Sequence, residues 1–150
     1  MITVIQRVSE ANVAIEGKVT AQIGHGLLLL AGFEEADTEA DLEWMGSKIV
    51  NLRIFPDENE VMNKSIMDSG GDILVVSQFT LHASTKKGNR PSYSKAAKSE
   101  VAIPLYNTFL NQLEKVLGKK VASGEFGADM KVYLTNDGPV TIIIDSKDSK

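Results

Sequence analysis

A chain of 150 residues with 43% hydrophobic and 24% charged side chains has the size and balance of one globular domain, and residues 1–150 are read as one. It contains no cysteine and only two histidines, His25 and His82, which excludes a disulfide framework, a thiolate nucleophile and a Cys/His zinc site. A net charge of −4 argues against a protein that coats nucleic acid, though not against contact with an RNA end through one basic patch.

Residues 1–8 alternate imperfectly and are expected to form a strand. Val13 and Ile15 lead into Glu16-Gly17-Lys18, a hairpin-like turn, and Val19, Ala21 and Ile23 resume the period of two. Gly24-His25-Gly26 interrupts the pattern. Leu27 to Ala31 is a continuous apolar run, as in a strand buried on both faces. Thr38 with Asp41 is a capping-box pattern, followed by Leu42, Met45, Ile49 and Leu52 at helical spacing. Residues 56–72 read as a long loop with at most one short strand, and a buried strand is expected over 73–80. A second helix starts near Ser99, carries Leu105, Phe109, Leu113 and Val116 as its stripe, and stops at Gly118. Pro104 predicts a local distortion in it. Residues 130–135 alternate again, 140–144 close the sheet, and 146–150 form a polar tail expected to be disordered. This order predicts an α+β fold, a strongly curved, barrel-like sheet with two main helices. No apolar stretch approaches the roughly 20 residues that span a bilayer. The N-terminus reads directly into a strand without a leader pattern, so the cytoplasm is the expected location.

Two segments carry candidate chemistry. In Ser77-Gln78-Phe79-Thr80-Leu81 a buried-strand run breaks abruptly into hydroxyl and amide side chains. In Asn136-Asp137-Gly138-Pro139-Val140-Thr141, Gly138 is free to take a positive φ, while Pro139 has a fixed φ and no N–H. Each alone is ordinary turn chemistry. Together, a polar strand end and a rigid turn exposing carbonyls can recognise a small polar ligand through backbone atoms. Thr80 and His82 would share a face of a strand, which makes a nucleophile–base pair conceivable. No Ser/His/Asp pattern surrounds them, however, and His82 reads more simply as a loop histidine facing water. His25, between two glycines, is a weaker candidate. Between Ala83 and Ser99 stand Lys86, Lys87, Arg90, Lys95 and Lys98 with no acidic residue, either a solvated loop or a patch for phosphates.

In order and spacing these segments resemble the two signature motifs of the D-aminoacyl-tRNA deacylases (D-tyrosyl-tRNA(Tyr) deacylases), an SQFTL-type motif and a C-terminal NxGPVT motif. The opening strand ending in Gln6-Arg7-Val8, Leu52 to Asp57, Met62-Asn63, Arg90-Pro91-Ser92-Tyr93 and Phe126 to Met130 also match family segments in the same order. The resemblance therefore runs the whole length. It implies a homodimeric enzyme, without metal or cofactor, that hydrolyses D-aminoacyl-tRNA, and glycyl-tRNA mischarged on tRNA(Ala), as chiral proofreading in translation. Ser77, Gln78, Phe79 and Thr80 would form the catalytic segment. Thr80 would act as nucleophile, or else backbone N–H groups around Phe79 and Thr80 would stabilise the oxyanion while the ribose 2′-hydroxyl assists water. The second account is preferred, because the sequence supplies no convincing base.

The resemblance further implies that Gly138 and Pro139, through a cis bond, enter the partner subunit's site and exclude L-residues. Arg7 would brace that turn. Phe126, Ala128 and Met130 would line the pocket for the terminal adenosine, and Lys86, Lys87 and Arg90 would contact tRNA phosphates. No membrane or DNA partner is expected. Two rival readings stay open: a deacylase that edits an L-amino-acid error beside a synthetase, and a small-ligand-binding domain without catalysis.

Overall fold

One long strand organises the sheet in the computed structural model, which describes residues 1–148. This strand, β1 (Ile2–Ile15), runs unbroken through the two stretches expected to be separate. Its halves serve different neighbours. Ala11 to Ile15 pairs antiparallel with β2 (Lys18–Ile23), and Ile2 to Val8 pairs antiparallel with β3 (Gly26–Gly32). The β1–β2 hairpin closes through Glu16 and Gly17, at φ 50° and 78°, the paired positive values whose twist suits a two-residue hairpin.

Thr38 N–H donates to the Asp41 carboxylate at 2.9 Å and opens α1 (Glu39–Asn51), as the capping pattern predicts. The next segment is more ordered than a loop. β4 (Phe55–Pro56) and β5 (Met62–Lys64) form a small ribbon, and Ser65 caps the one-turn α2 (Ile66–Ser69). β6 (Asp72–Ser77) lies parallel to β3 and ends at Ser77 rather than at 80; Phe79–His82 form a 3₁₀ turn. α3 (Ser99–Leu117) runs through Pro104 without a break and stops at Gly118, φ 83°. The carbonyl that Pro104 leaves unbonded belongs to exposed Glu100, where water can satisfy it. β7 (Ala122–Ser123) adds parallel to β6. β8 (Met130–Asp145), expected as two strands, pairs antiparallel with β1 from Met130 opposite Ile15 to Asp145 opposite Ile2.

The sheet is buried on both faces along β3 and β6. Leu27, Leu29, Ile73 and Val75 meet Leu42, Met45 and Ile49 of α1 and Phe109 and Leu113 of α3. The opposite side chains, Leu28, Leu74 and Val76, pack with Val8, Ala11, Val13 and Ile23 inside the curl of the sheet. This second cluster makes the sheet barrel-like. Truncating Phe109, fully buried, to Ala is worth about 3–5 kcal/mol.

The C-terminal segment is not a loose tail where it is described. Ser146–Asp148 form a 3₁₀ turn, Ser146 N–H donates to Met1 O at 2.8 Å, and the Ser146 hydroxyl accepts from the Met1 ammonium at 3.0 Å. Residues 149–150 of the expected tail lie outside the described residues. Among the described residues no helix is long and apolar enough to cross a membrane.

Candidate active site

β3 and β6 end side by side, and the chain leaves β6 by bending across the end of β3. Gln78 N–H donates to Ala31 O at 2.8 Å, and Leu81 N–H closes back onto Gln78 O at 3.3 Å. The bend needs Gly32. A Cβ there would sit 2.8 Å from Gln78 O and 3.1 Å from the His82 ring. Phe79 and Thr80 are the first residues of the 3₁₀ turn, so their N–H groups have no acceptor within it.

Beside this turn lies a cleft of about 310 Å³. Gly32 and Phe33 form one wall, Ser77, Gln78 and Phe79 another, and Phe126, Ala128 and Met130 the third. Tyr106 holds the third wall against the second: its hydroxyl lies 3.3 Å from both Val75 O and Gly124 O, and its ring packs on Phe126 at 5.8 Å. Burial pushes the Tyr106 phenol up to about 12, so it stays a neutral donor. Gly32, Phe33, Ala97, Ala102 and Tyr106 were not legible as site residues. Only Gly32, directly after an apolar run, gave a local signal.

Thr80 follows Phe79 in the turn but is not in the cleft's lining, and its hydroxyl accepts a hydrogen bond from the Gln78 amide at 2.5 Å. The conceived Thr80–His82 pair does not form. In a 3₁₀ turn, residues i and i+2 point roughly 240° apart rather than to one face. Nor does His82 face water. It is 4% exposed, and its Nδ1 lies 3.3 Å from the Glu34 carboxylate. His25 packs edge-on against Phe55, outside the cleft lining. Among the described residues no group of three or more His, Asp or Glu could hold a metal ion.

Gly138 and Pro139 lie apart from this cleft. Gln6 pairs with Thr141 but Val8 with Asn136, so residues 137–140 bulge from β8 opposite Arg7. The Asn136 amide closes the base of the bulge, donating to Arg7 O and Val140 O, both at 3.0 Å. Arg7 braces its flank: Nε donates to Asp137 O at 3.1 Å, and Nη1 to Ile54 O at 2.6 Å. Gly138 has φ +128°, its bond to Pro139 is cis, and a Cβ on it would approach Arg7 Nη2 to 3.0 Å. Both residues are exposed. Lys86, Lys87 and Arg90 are also exposed, on a loop whose ends are tied by reciprocal Ser84–Ser92 hydrogen bonds of 2.8 and 2.9 Å.

A family model described as D-Tyr-tRNA(Tyr) deacylase matches residues 4–145. A D-aminoacyl-tRNA deacylase of Flavobacterium psychrophilum is 64% identical over the full length of both chains, and one of Bacteroides thetaiotaomicron is 61% identical over the same span. Among solved structures, a c-Myc DNA unwinding element binding protein superposes with a TM-score of 0.92 at 44% identity, covering 97% of this chain and 98% of that one. A probable eukaryotic D-amino acid tRNA deacylase superposes at 0.83 with 17% identity, covering 95% and 97%, a likeness of fold. With its cleft, its signature segments and its relatives all concordant, the chain belongs to the D-Tyr-tRNA(Tyr) deacylase family.

Proposed function

We propose that this protein hydrolyses the ester linking a D-amino acid to the 3′ end of tRNA, releasing free tRNA and the D-amino acid in the cytoplasm. The observation that carries this reading is a cleft of about 310 Å³ walled by Phe79, which opens a 3₁₀ turn in which the N–H groups of Phe79 and Thr80 find no acceptor. An aminoacyl ester is already activated, so catalysis needs positioning and fixed donors for the developing oxyanion. Those two N–H groups supply the donors. The ribose 2′-hydroxyl assists the attacking water. A nucleophilic Thr80 is disfavoured, because its hydroxyl is held by Gln78 and the nearest imidazole in sequence is buried against Glu34. The terminal adenosine stacks against Phe126, with Ala128 and Met130 beside it.

Selectivity comes from the partner subunit in this reading. Gly138 and Pro139 are exposed and stand outside the lining of this cleft, while Tyr133 and Ile143 on the same strand are 57% and 70% exposed. A second copy docked on this face covers those side chains and brings each bulge to the other's cleft. Backbone carbonyls there form a wall that admits hydrogen at one Cα position and excludes a side chain. D-esters of many kinds pass, as does the glycyl ester on tRNA(Ala), and L-esters are refused. Lys86, Lys87 and Arg90 contact phosphates of the tRNA.

The test offers the purified protein one tRNA charged with a D-amino acid, its L-enantiomer or glycine. Hydrolysis of the D- and glycyl esters with the L-ester intact is expected. Preferential loss of the L-ester would identify an editor of L-residues, and no hydrolysis of any ester would identify a binding module.

A further inference from the structure

The rim of the cleft carries an aromatic pair that the proposed chemistry leaves unused. The Phe79 and Tyr93 rings meet edge to face, with centroids 5.1 Å apart and planes at 72°. They are 54% and 40% exposed. In such a pair the ring that presents its edge keeps both faces free of the other. Phe79 belongs to the cleft wall, whereas Tyr93 stands outside it.

The chain arrives at this arrangement through the basic loop. The Ser84–Ser92 bridge folds residues 85–91 back on themselves, so that Tyr93 returns against Phe79. Lys86, Lys87 and Arg90 occupy the intervening exposed loop, and the whole of 83–98 lacks an acidic residue. Flat exposed aromatics beside a run of cations match a single nucleic-acid strand, in which planar bases alternate with phosphates. The cleft, about 310 Å³, is at the small end of ligand pockets and has room for one nucleoside with its acyl group, so the preceding nucleotide lies beyond the rim.

We infer that Phe79 and Tyr93 form a stacking platform for the nucleobase immediately 5′ of the terminal adenosine, an inference that rests on the proposed deacylase reading. The platform takes any base, because stacking reads a π-face rather than hydrogen-bonding edges. Its two rings position the RNA end, and the acyl ester with it, while only the Phe79 backbone N–H reaches the reacting atoms.

The experiment compares two substrates that differ only in what lies beyond the cleft: D-aminoacyl-tRNA, and the D-aminoacyl ester of adenosine alone. Tyr93→Leu is expected to raise KM on tRNA roughly 5- to 100-fold, as loss of one base–aromatic stack implies. It should leave kcat on tRNA and both constants on the adenosine ester within about 2-fold, effects too small to register as a lost interaction. Tyr93→Phe should behave as wild type. A tRNA made abasic at the penultimate position should lose as much with the wild-type protein, and Tyr93→Leu should then add nothing further. An equal loss on both substrates would assign Tyr93 to packing of the catalytic turn and overturn the inference. So would an unchanged KM on tRNA, or additive losses. Failure of the wild-type protein on every D-ester would instead strike the deacylase reading itself.

Discussion

The Arg7 guanidinium is aimed at carbonyls rather than at a carboxylate. It reaches Ile54 O at 2.6 Å and Asp137 O at 3.1 Å, while the Asp137 carboxylate stays 3.9 Å from Nε. The two acceptors lie on different segments, and only a planar fork with separated donors serves both at once. A lysine ammonium reaches one of them, freeing either the flank of the bulge or the chain entering β4. If the bulge is the chiral wall, Arg7→Lys leaves a folded protein whose wall is loose. Hydrogen bonds from charged donors are worth about 1.5–3 kcal/mol each, so kcat/KM on the D-ester should fall roughly 10- to 150-fold. The D-to-L ratio should fall with it. A variant with lower thermal stability but an unchanged ratio would make Arg7 a structural brace only.

At the scale of elements, the features legible in the sequence were those specified by neighbours in the chain. Glu16-Gly17 sets its own turn, Thr38 and Asp41 their own box, and Gly118 its own stop at φ +83°. What escaped depended on distant partners. β1 is continuous because β8 pairs along its length, and Ser9 is absorbed as a bulge where Val8 meets Asn136 and Glu10 meets Thr135. The apolar period that suggested a strand to residue 80 holds only to Ser77, since Gly32 lets the chain turn there. The order of 146–148 comes from a contact 145 residues away, with Met1.

That same corner predicts a pH dependence. Burial alone would raise the Asp41 carboxyl, but hydrogen bonds from Lys147 and from Thr38 N–H, with the Lys147 charge, hold it down at about 2 against 3.8 for a free group. The folded chain therefore binds this proton more weakly than the unfolded one. The resulting stabilisation is present above about pH 4 and is withdrawn as the pH falls to about 2. Unfolding measured between these values should lose stability more steeply in the wild type than in Asp41→Asn. Parallel slopes would mean that the Lys147 and Thr38 contacts do not hold the Asp41 carboxyl down in solution.

For the molecule as a whole, the candidate site is divided. Ser77, Gln78, Phe79, Phe126, Ala128 and Met130 meet in one cleft, whereas Gly138 and Pro139 stand exposed on a bulge elsewhere on the same chain. Both motifs were legible as polar breaks after strands. That the bulge serves another copy's cleft was expected only from the family resemblance, because sequence spacing by itself says nothing about which copy a bulge faces. If the wall works in trans, two different defects must complement. Ala128→Phe fills the cleft and leaves the bulge intact. Gly138→Ala leaves the cleft but puts a Cβ 3.0 Å from Arg7 Nη2, on a backbone at φ +128° that L side chains rarely adopt. Each homodimer should be nearly inactive. In a heterodimer purified through two different tags, the open cleft of the Gly138→Ala chain receives the unaltered bulge of the Ala128→Phe chain. One site of two is then whole, so activity should return to roughly half that of the wild-type dimer. If the bulge serves its own cleft, neither site is whole and the heterodimer stays inactive. A chain that runs as a monomer while fully active would remove the partner from the mechanism altogether.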